Sequence, residues 1–234
     1  MSLIRQNLQA ITATIVAASQ ESGRAPETVQ LLAVSKTFGP QAVQEAVAAG
    51  QRAFGENYLQ EGLDKIRALN DAGESALEWH FIGPIQSNKT RPIAENFAWV
   101  HTVEREKIAA RLSEQRPAGM APLQICLQVN ISGEASKSGV APEEVAELAH
   151  KVAALPNLTL RGLMAIPEPA VEFEQQRAAF ARLRTLYEQL RADGLALDTL
   201  SMGMSADMRA AIFEGATIVR VGSAIFGARN YHKA

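Results

Sequence analysis

Cysteine is nearly missing from this chain: Cys126 is the only one among 234 residues. No internal disulfide can form, and its place in the apolar run 123–129 marks it as a small buried hydrophobe. Such usage suits a reducing cytosol, so a cytoplasmic location is expected. An excess of charge of either sign is missing too. The net charge of −2 argues against a nucleic-acid partner and against a polybasic membrane surface. No apolar run reaches membrane-spanning length, and no secretory-type apolar core stands near residue 1. The 4 histidines are scattered without ligand spacing, so no metal is expected. Linkers rich in proline, glycine and serine, low-complexity tracts and sequence repeats are also lacking. A single domain over residues 1–234 is therefore expected.

What is present is an ordinary globular composition, 47% hydrophobic and 21% charged, arranged in strict alternation. Apolar runs predict strands at 31–36, 53–57, 79–83, 99–103, 123–131, 158–166, 199–202 and 217–221. Between them, helical periodicity predicts helices at 41–49, 59–72, 89–97, 107–115, 142–155, 172–192 and 207–214, several closed by glycine. Residues 3–21 place Leu3, Leu8, Ile11, Ile15 and Ala18 at helical spacing, a leading helix expected to cover the bottom or the flank of the sheet. Alternating order implies parallel strands with right-handed crossovers. Eight units in 234 residues fit a closed barrel, which takes about 250. The expected fold is α/β, a (β/α)8 TIM barrel with an extra N-terminal helix.

In such a barrel the C-terminal strand tips share one mouth, where barrel enzymes place their chemistry. Strand one ends in Lys36. A lysine at a strand end usually extends to solvent; a desolvated one can lose its proton and form a Schiff base with a carbonyl compound. The other tips offer Glu56 and Asn57, His80, Asn130 and Ser132, Met164, then Ser201-Met202-Gly203-Met204-Ser205, and finally Arg220, Gly222 and Ser223. Glycine and hydroxyl residues after strands seven and eight suit the phosphate site that barrels build there. Arg220 could meet that phosphate or a heteroaromatic nitrogen across the mouth; alternation alone leaves open which face it takes. An imine-forming lysine opposite a phosphate site points to a phosphorylated aldehyde, either pyridoxal 5′-phosphate or the sugar phosphate of a lysine-dependent aldolase.

The runs LLAVSKT (31–37), FGENYLQEG (54–62), WHFIGPIQSNK (79–89), VNIS (129–132) with KSG (137–139), RGLMAIP (161–167), LSMGMSADM (200–208) and VRVGSAIFGAR (219–229) resemble the pyridoxal phosphate homeostasis proteins of the YggS/PROSC type. The resemblance spans essentially the whole chain. It implies a barrel like the alanine racemase N-terminal domain, with pyridoxal 5′-phosphate held as a Schiff base on Lys36. It places the phosphate on the loops of Ser201 and Gly222-Ser223, with Asn57, His80, Met164 and Arg220 lining the cofactor. An arginine at the pyridine nitrogen would leave that nitrogen unprotonated and weaken carbanion chemistry.

Two function classes follow. The first is a non-catalytic carrier that keeps intracellular pyridoxal phosphate and amino-acid pools in balance, as a monomer that meets pyridoxal-dependent apo-enzymes transiently. The alternative is an amino-acid racemase-like enzyme. Racemases add a second domain whose partner chain supplies a tyrosine. Here the chain stops shortly after the eighth strand, and of the 3 tyrosines, Tyr58 and Tyr231 could reach a mouth while Tyr187 lies within a helix. The carrier is the expected reading, with no catalytic residue assigned.

Overall fold

The structure is a computed structural model that describes residues 2–133 and 137–228. Its strands are β1 (Gln30–Val34), β2 (Ala53–Glu56), β3 (Glu78–Phe81), β4 (Trp99–Val103), β5 (Leu123–Gln128), β6 (Leu158–Met164), β7 (Thr199–Ser201) and β8 (Ile218–Val221). Its helices are α1 (Leu3–Glu21), α2 (Pro40–Ala48), α3 (Leu59–Asp71), α4 (Thr90–Asn96), α5 (Glu106–Gln115), α6 (Val145–Ala153), α7 (Phe173–Ala192), α8 (Met208–Phe213) and α9 (Ser223–Phe226). The strands pair in chain order and in parallel, and β8 returns to β1 to close the barrel. The expected (β/α)8 barrel is what the chain forms.

Closure splits the apolar residues into two layers. Alternate side chains such as Val43 on α2 and Ala33, Phe54 and Val100 on the strands fill the space between sheet and helices. The opposite parity, including Leu32, Val34, Trp99, Cys126, Met164 and Ile218, forms a smaller cluster inside the barrel. Lys36 and Arg220 follow that inner parity, so alternation sends both inward. Beside this cluster the interior holds the buried polar side chains His80, His101, Ser201 and Arg220.

Helix α1 takes the flank. Ser2 caps it, accepting from the Arg5 N–H at 3.3 Å, and it buries Leu8, Ile15 and Ala18. It packs on α8, α9 and α2. Helices α2 to α8 follow β1 to β7, and α1 fills the wall position beside β8 where the four-residue α9 is too short to serve. Asn7 fastens it there, donating to the Ile225 carbonyl at 2.8 Å.

Six of the eight strands end one to three residues short of the runs expected for them, and at β1 and β5 the local cause is visible. Strand β1 stops at Val34 because Ser35 and Lys36 enter a turn in which Thr37 takes a φ of 69°. Strand β5 stops at Gln128, beyond which Val129 bridges to Val140 and the Asn130 side chain accepts from the Gly133 N–H at 3.1 Å. A 3₁₀ turn, Pro142–Glu144, precedes α6. Among the described residues no helix is long and apolar enough to cross a membrane, and no cluster of metal-ligating side chains forms.

Candidate functional site: the barrel mouth

The turn after β1 is clamped from outside the barrel. The Ser35 hydroxyl donates to Glu56 Oε1 at 2.5 Å. Lys65 on α3 donates to the same oxygen and to the Ser35 carbonyl, both at 2.7 Å. Glu61 accepts from the Thr37 N–H at 2.9 Å. With Ser35 turned outward and held, Lys36 is directed into the mouth.

There it meets a cavity of about 280 Å³. Six of the eight residues expected at the site line it: Lys36, Asn57, Met164, Arg220, Gly222 and Ser223. Asn57 is pressed into place by Gly83: a Cβ there would stand 1.9 Å from the Asn57 carbonyl oxygen. The Asn57 Oδ1 is a buried acceptor that has no hydrogen-bond partner among the described residues. Gly222 packs less tightly against β1, where an added Cβ would come within 3.2 Å of the Val34 oxygen. Larger hollows of about 670 and 640 Å³ lie on the outer helical wall, along α1 and between α6 and α7, and gather no comparable set.

The other two expected residues lie beneath the cavity. His80 and Ser201 are fully buried in the barrel interior and do not reach its wall. His80 is in the middle of β3, one residue short of the strand end, so its ring points into the barrel axis. The Ser201 hydroxyl is already engaged, by Arg220 Nη1 at 2.8 Å and by His101 Nδ1 at 2.7 Å. The hydroxyl that the β7 loop brings to the cavity is that of Ser205.

The polar interior under the mouth is continuous. Arg220 Nη1 also donates to the Ser201 carbonyl at 2.6 Å, and Nη2 to the Ala165 carbonyl at 2.9 Å. His101 Nε2 meets His80 Nδ1 at 2.8 Å, and His80 Nε2 meets Glu78 Oε1 at 2.8 Å. Burial lowers the pKa of both imidazoles, His101 strongly, so both are neutral near pH 7. The hydrogen bond from His80 holds the Glu78 carboxyl down to about 2 despite partial burial. Burial draws the Arg220 guanidinium down to about 10, so it remains a cation at neutral pH. Residue-type reasoning at the strand tips passed over His101 and Glu78. The available signal was strand parity: each lies two residues from an inward-facing side chain of its own strand, Trp99 or His80.

Comparison with known proteins places this architecture. Residues 6–230 match the family described as alanine racemase, N-terminal domain. A protein of Pseudomonas aeruginosa named pyridoxal phosphate homeostasis protein is 64% identical over 99% of this chain and 98% of its own length. One of Escherichia coli with the same name is 53% identical over the full length of both. The structure of PipY from Synechococcus elongatus, solved with PLP bound, superposes with a TM-score of 0.84 at 36% identity, covering 96% of this chain and 100% of that one. With identity this high across nearly every residue, the chain belongs to the pyridoxal phosphate homeostasis protein family, built on the alanine racemase N-terminal domain.

Proposed function

We propose that this chain binds pyridoxal 5′-phosphate, with Lys36 as the residue joined to it, and serves pyridoxal phosphate homeostasis in the cytoplasm without catalytic turnover. The observation that supports this most is the convergence of Lys36, Arg220, Gly222 and Ser223 on one cavity of about 280 Å³. Ligand pockets start at roughly 300 Å³, so this one suits a single substituted ring with a short arm. The donor set fits such a ring. Ser205 and the Gly222–Ser223 turn provide hydroxyls and backbone N–H groups where barrels bind phosphate, and the first N–H groups of a helix have no partner within it. Arg220 offers two N–H groups without acceptors among the described residues, suited to a ring nitrogen. Asn57 offers an unpaired acceptor.

Bound there, the cofactor would supply an electrophilic aldehyde carbon. Lys36, which lines the cavity, would be the amine that holds it there, with Nζ in its uncharged form as the nucleophile. With the Arg220 guanidinium facing its ring nitrogen, the cofactor would stay unprotonated there and be a weaker electron sink, which favours holding it over turning over substrate. A racemase also needs a second base, and no tyrosine among the described residues lines the cavity. Tyr58 is exposed outside it, and the Tyr187 hydroxyl donates to the Leu197 carbonyl at 3.1 Å. Tyr231 lies outside the described residues. The names of the relatives and the PLP-bound PipY structure agree with this reading. A monomeric chain of one barrel domain, meeting apo-enzymes only transiently, completes the proposal.

The test is chemical. Wild type and Lys36→Ala are mixed with pyridoxal 5′-phosphate, reduced with borohydride and digested for peptide mass spectrometry. A phosphopyridoxyl group on Lys36, absent from the variant, is the expected result. A reduced wild type unmodified at Lys36 would sink the proposal. Carrier and enzyme separate on incubation with each L- and D-amino acid: racemisation that vanishes in Lys36→Ala would overturn the non-catalytic reading.

A further inference from the structure

The file of side chains under the mouth has only one consistent direction. Arginine can only donate, and both Nη1 hydrogens of Arg220 go to Ser201, one to its carbonyl and one to its hydroxyl oxygen. Ser201 Oγ therefore accepts from Arg220 and has one hydrogen left. The acceptor in reach is His101 Nδ1, at 2.7 Å. With Nδ1 accepting, the His101 proton sits on Nε2 and goes to His80 Nδ1 at 2.8 Å. The His80 proton then sits on Nε2 and goes to the Glu78 carboxylate, which Gln30 Nε2 also supports at 3.1 Å. Reversed, the file would leave the Ser201 hydrogen without an acceptor and would need Glu78 protonated. A carboxyl that His80 holds far below neutral pH does not oblige.

We propose that His101, His80 and Glu78 are positioning residues for Arg220. They fix Ser201 as an acceptor, and Ser201 in turn fixes the guanidinium so that its remaining N–H groups, on Nη2 and Nε, face the cavity. The file runs from an anion at the N-terminal end of β3 to a cation at the mouth, through two neutral imidazoles. A buried guanidinium needs acceptors in place before it meets a ligand. Strands β3, β4 and β7 supply that order through β8, which makes the barrel interior a second layer of the binding site. The proposal rests on the pyridoxal phosphate reading of the cavity, because the donor it orients is meant for the ring nitrogen.

His101→Leu keeps the volume of the ring and removes both hydrogen bonds. His101→Gln retains a donor and an acceptor on one planar group. Ser201→Ala breaks the file by one hydroxyl and guards against a folding failure of the leucine variant. Expected are about tenfold weaker retention of pyridoxal 5′-phosphate in His101→Leu and Ser201→Ala and near-wild-type retention in His101→Gln. In the two broken variants the visible spectrum of the loaded protein should also acquire a pH-dependent change near neutrality, as the ring nitrogen becomes free to take a proton. Wild type should lack that change. Equal losses in His101→Leu and His101→Gln, or a spectrum in the broken variants as insensitive to pH as that of wild type, would overturn the positioning role.

A readout without cofactor separates this inference from the site reading. Nitrogen-15 spectra of the apo-protein at about pH 8 should show His80 and His101 neutral, each protonated on Nε2. Either ring protonated on Nδ1 refutes the file even if the cofactor binds. If wild type takes up no pyridoxal 5′-phosphate, the reading of the cavity fails, and so does the role assigned to the file, whatever the ring states are.

Discussion

Lys65→Met tests the clamp behind the lysine turn. Both partners are out of water: the side chains of Lys65 and Glu56 are 5% and 0% exposed. The change deletes the 2.7 Å ion pair and the bond to the Ser35 carbonyl together. Breaking one side of a buried pair costs roughly 3–5 kcal/mol, because a charge remains without its partner. Glu56 keeps only the Ser35 hydroxyl, since its Oε2 has no partner among the described residues. A loss of about 4 kcal/mol at pH 8 is therefore expected.

The loss must depend on pH, and its sign follows from Glu56. Burial raises the Glu56 carboxyl above the usual carboxylate range, and the charge of Lys65 opposes that rise. A carboxyl with a raised folded pKa destabilises as pH climbs from the unfolded value through the folded one. Without Lys65 the folded value climbs further, so the penalty is small near pH 4 and grows toward neutrality. Urea unfolding followed by circular dichroism at pH 5 and pH 8 measures both ends. A second variant that adds Glu56→Gln to Lys65→Met should recover more than half of the loss at pH 8, since no buried charge remains. An equal penalty at the two pH values, or less than about 1 kcal/mol at pH 8, refutes the reasoning.

Two further outcomes are expected. Gly83→Ala drives a Cβ to 1.9 Å from the Asn57 carbonyl oxygen, and backbone must move to admit it. The thermal midpoint should fall by several degrees and pyridoxal phosphate uptake should drop; unchanged melting would show that Asn57 is not held there. Cys126 is fully buried and its thiol is pushed up to about 12 by burial, so a thiol reagent should leave the folded protein unmodified and label one site in denaturant. Rapid labelling of the native protein would contradict its placement inside the barrel.

The order of elements was legible because its signals are local. Apolar runs mark each strand, and glycines such as Gly50 and Gly73 close α2 and α3 with the positive φ that a helix end favours. The cavity was largely legible too, since Lys36, Asn57, Arg220, Gly222 and Ser223 stand at strand ends that closure must bring together. The side on which Arg220 faces was not, because one residue of register reverses it. Nor was the layer beneath. His101 and Ser201 are 100 residues apart in sequence, and only the barrel makes them neighbours. His80 looked like a wall of the cavity because its type suits a cofactor. Its depth in β3 gives it Glu78 and His101 as neighbours instead. The place of α1 on the flank likewise depends on contacts with α8 and α9, which a leading amphipathic segment does not specify.

The seam beside β1 joins early sequence to late. Asn7 reaches Ile225 across 218 positions, Arg24 donates to the Ile212 and Ala216 carbonyls at 2.9 and 2.8 Å, and β1 pairs with β8. A nascent polypeptide leaving the ribosome can therefore seat its first strand on β2 and its first helix on α2, but the other side of each stays open until almost all the remaining residues have emerged. The part of the opening amphipathic stripe that α8 and α9 later cover is exposed throughout that wait, a surface for chaperones to shield during translation.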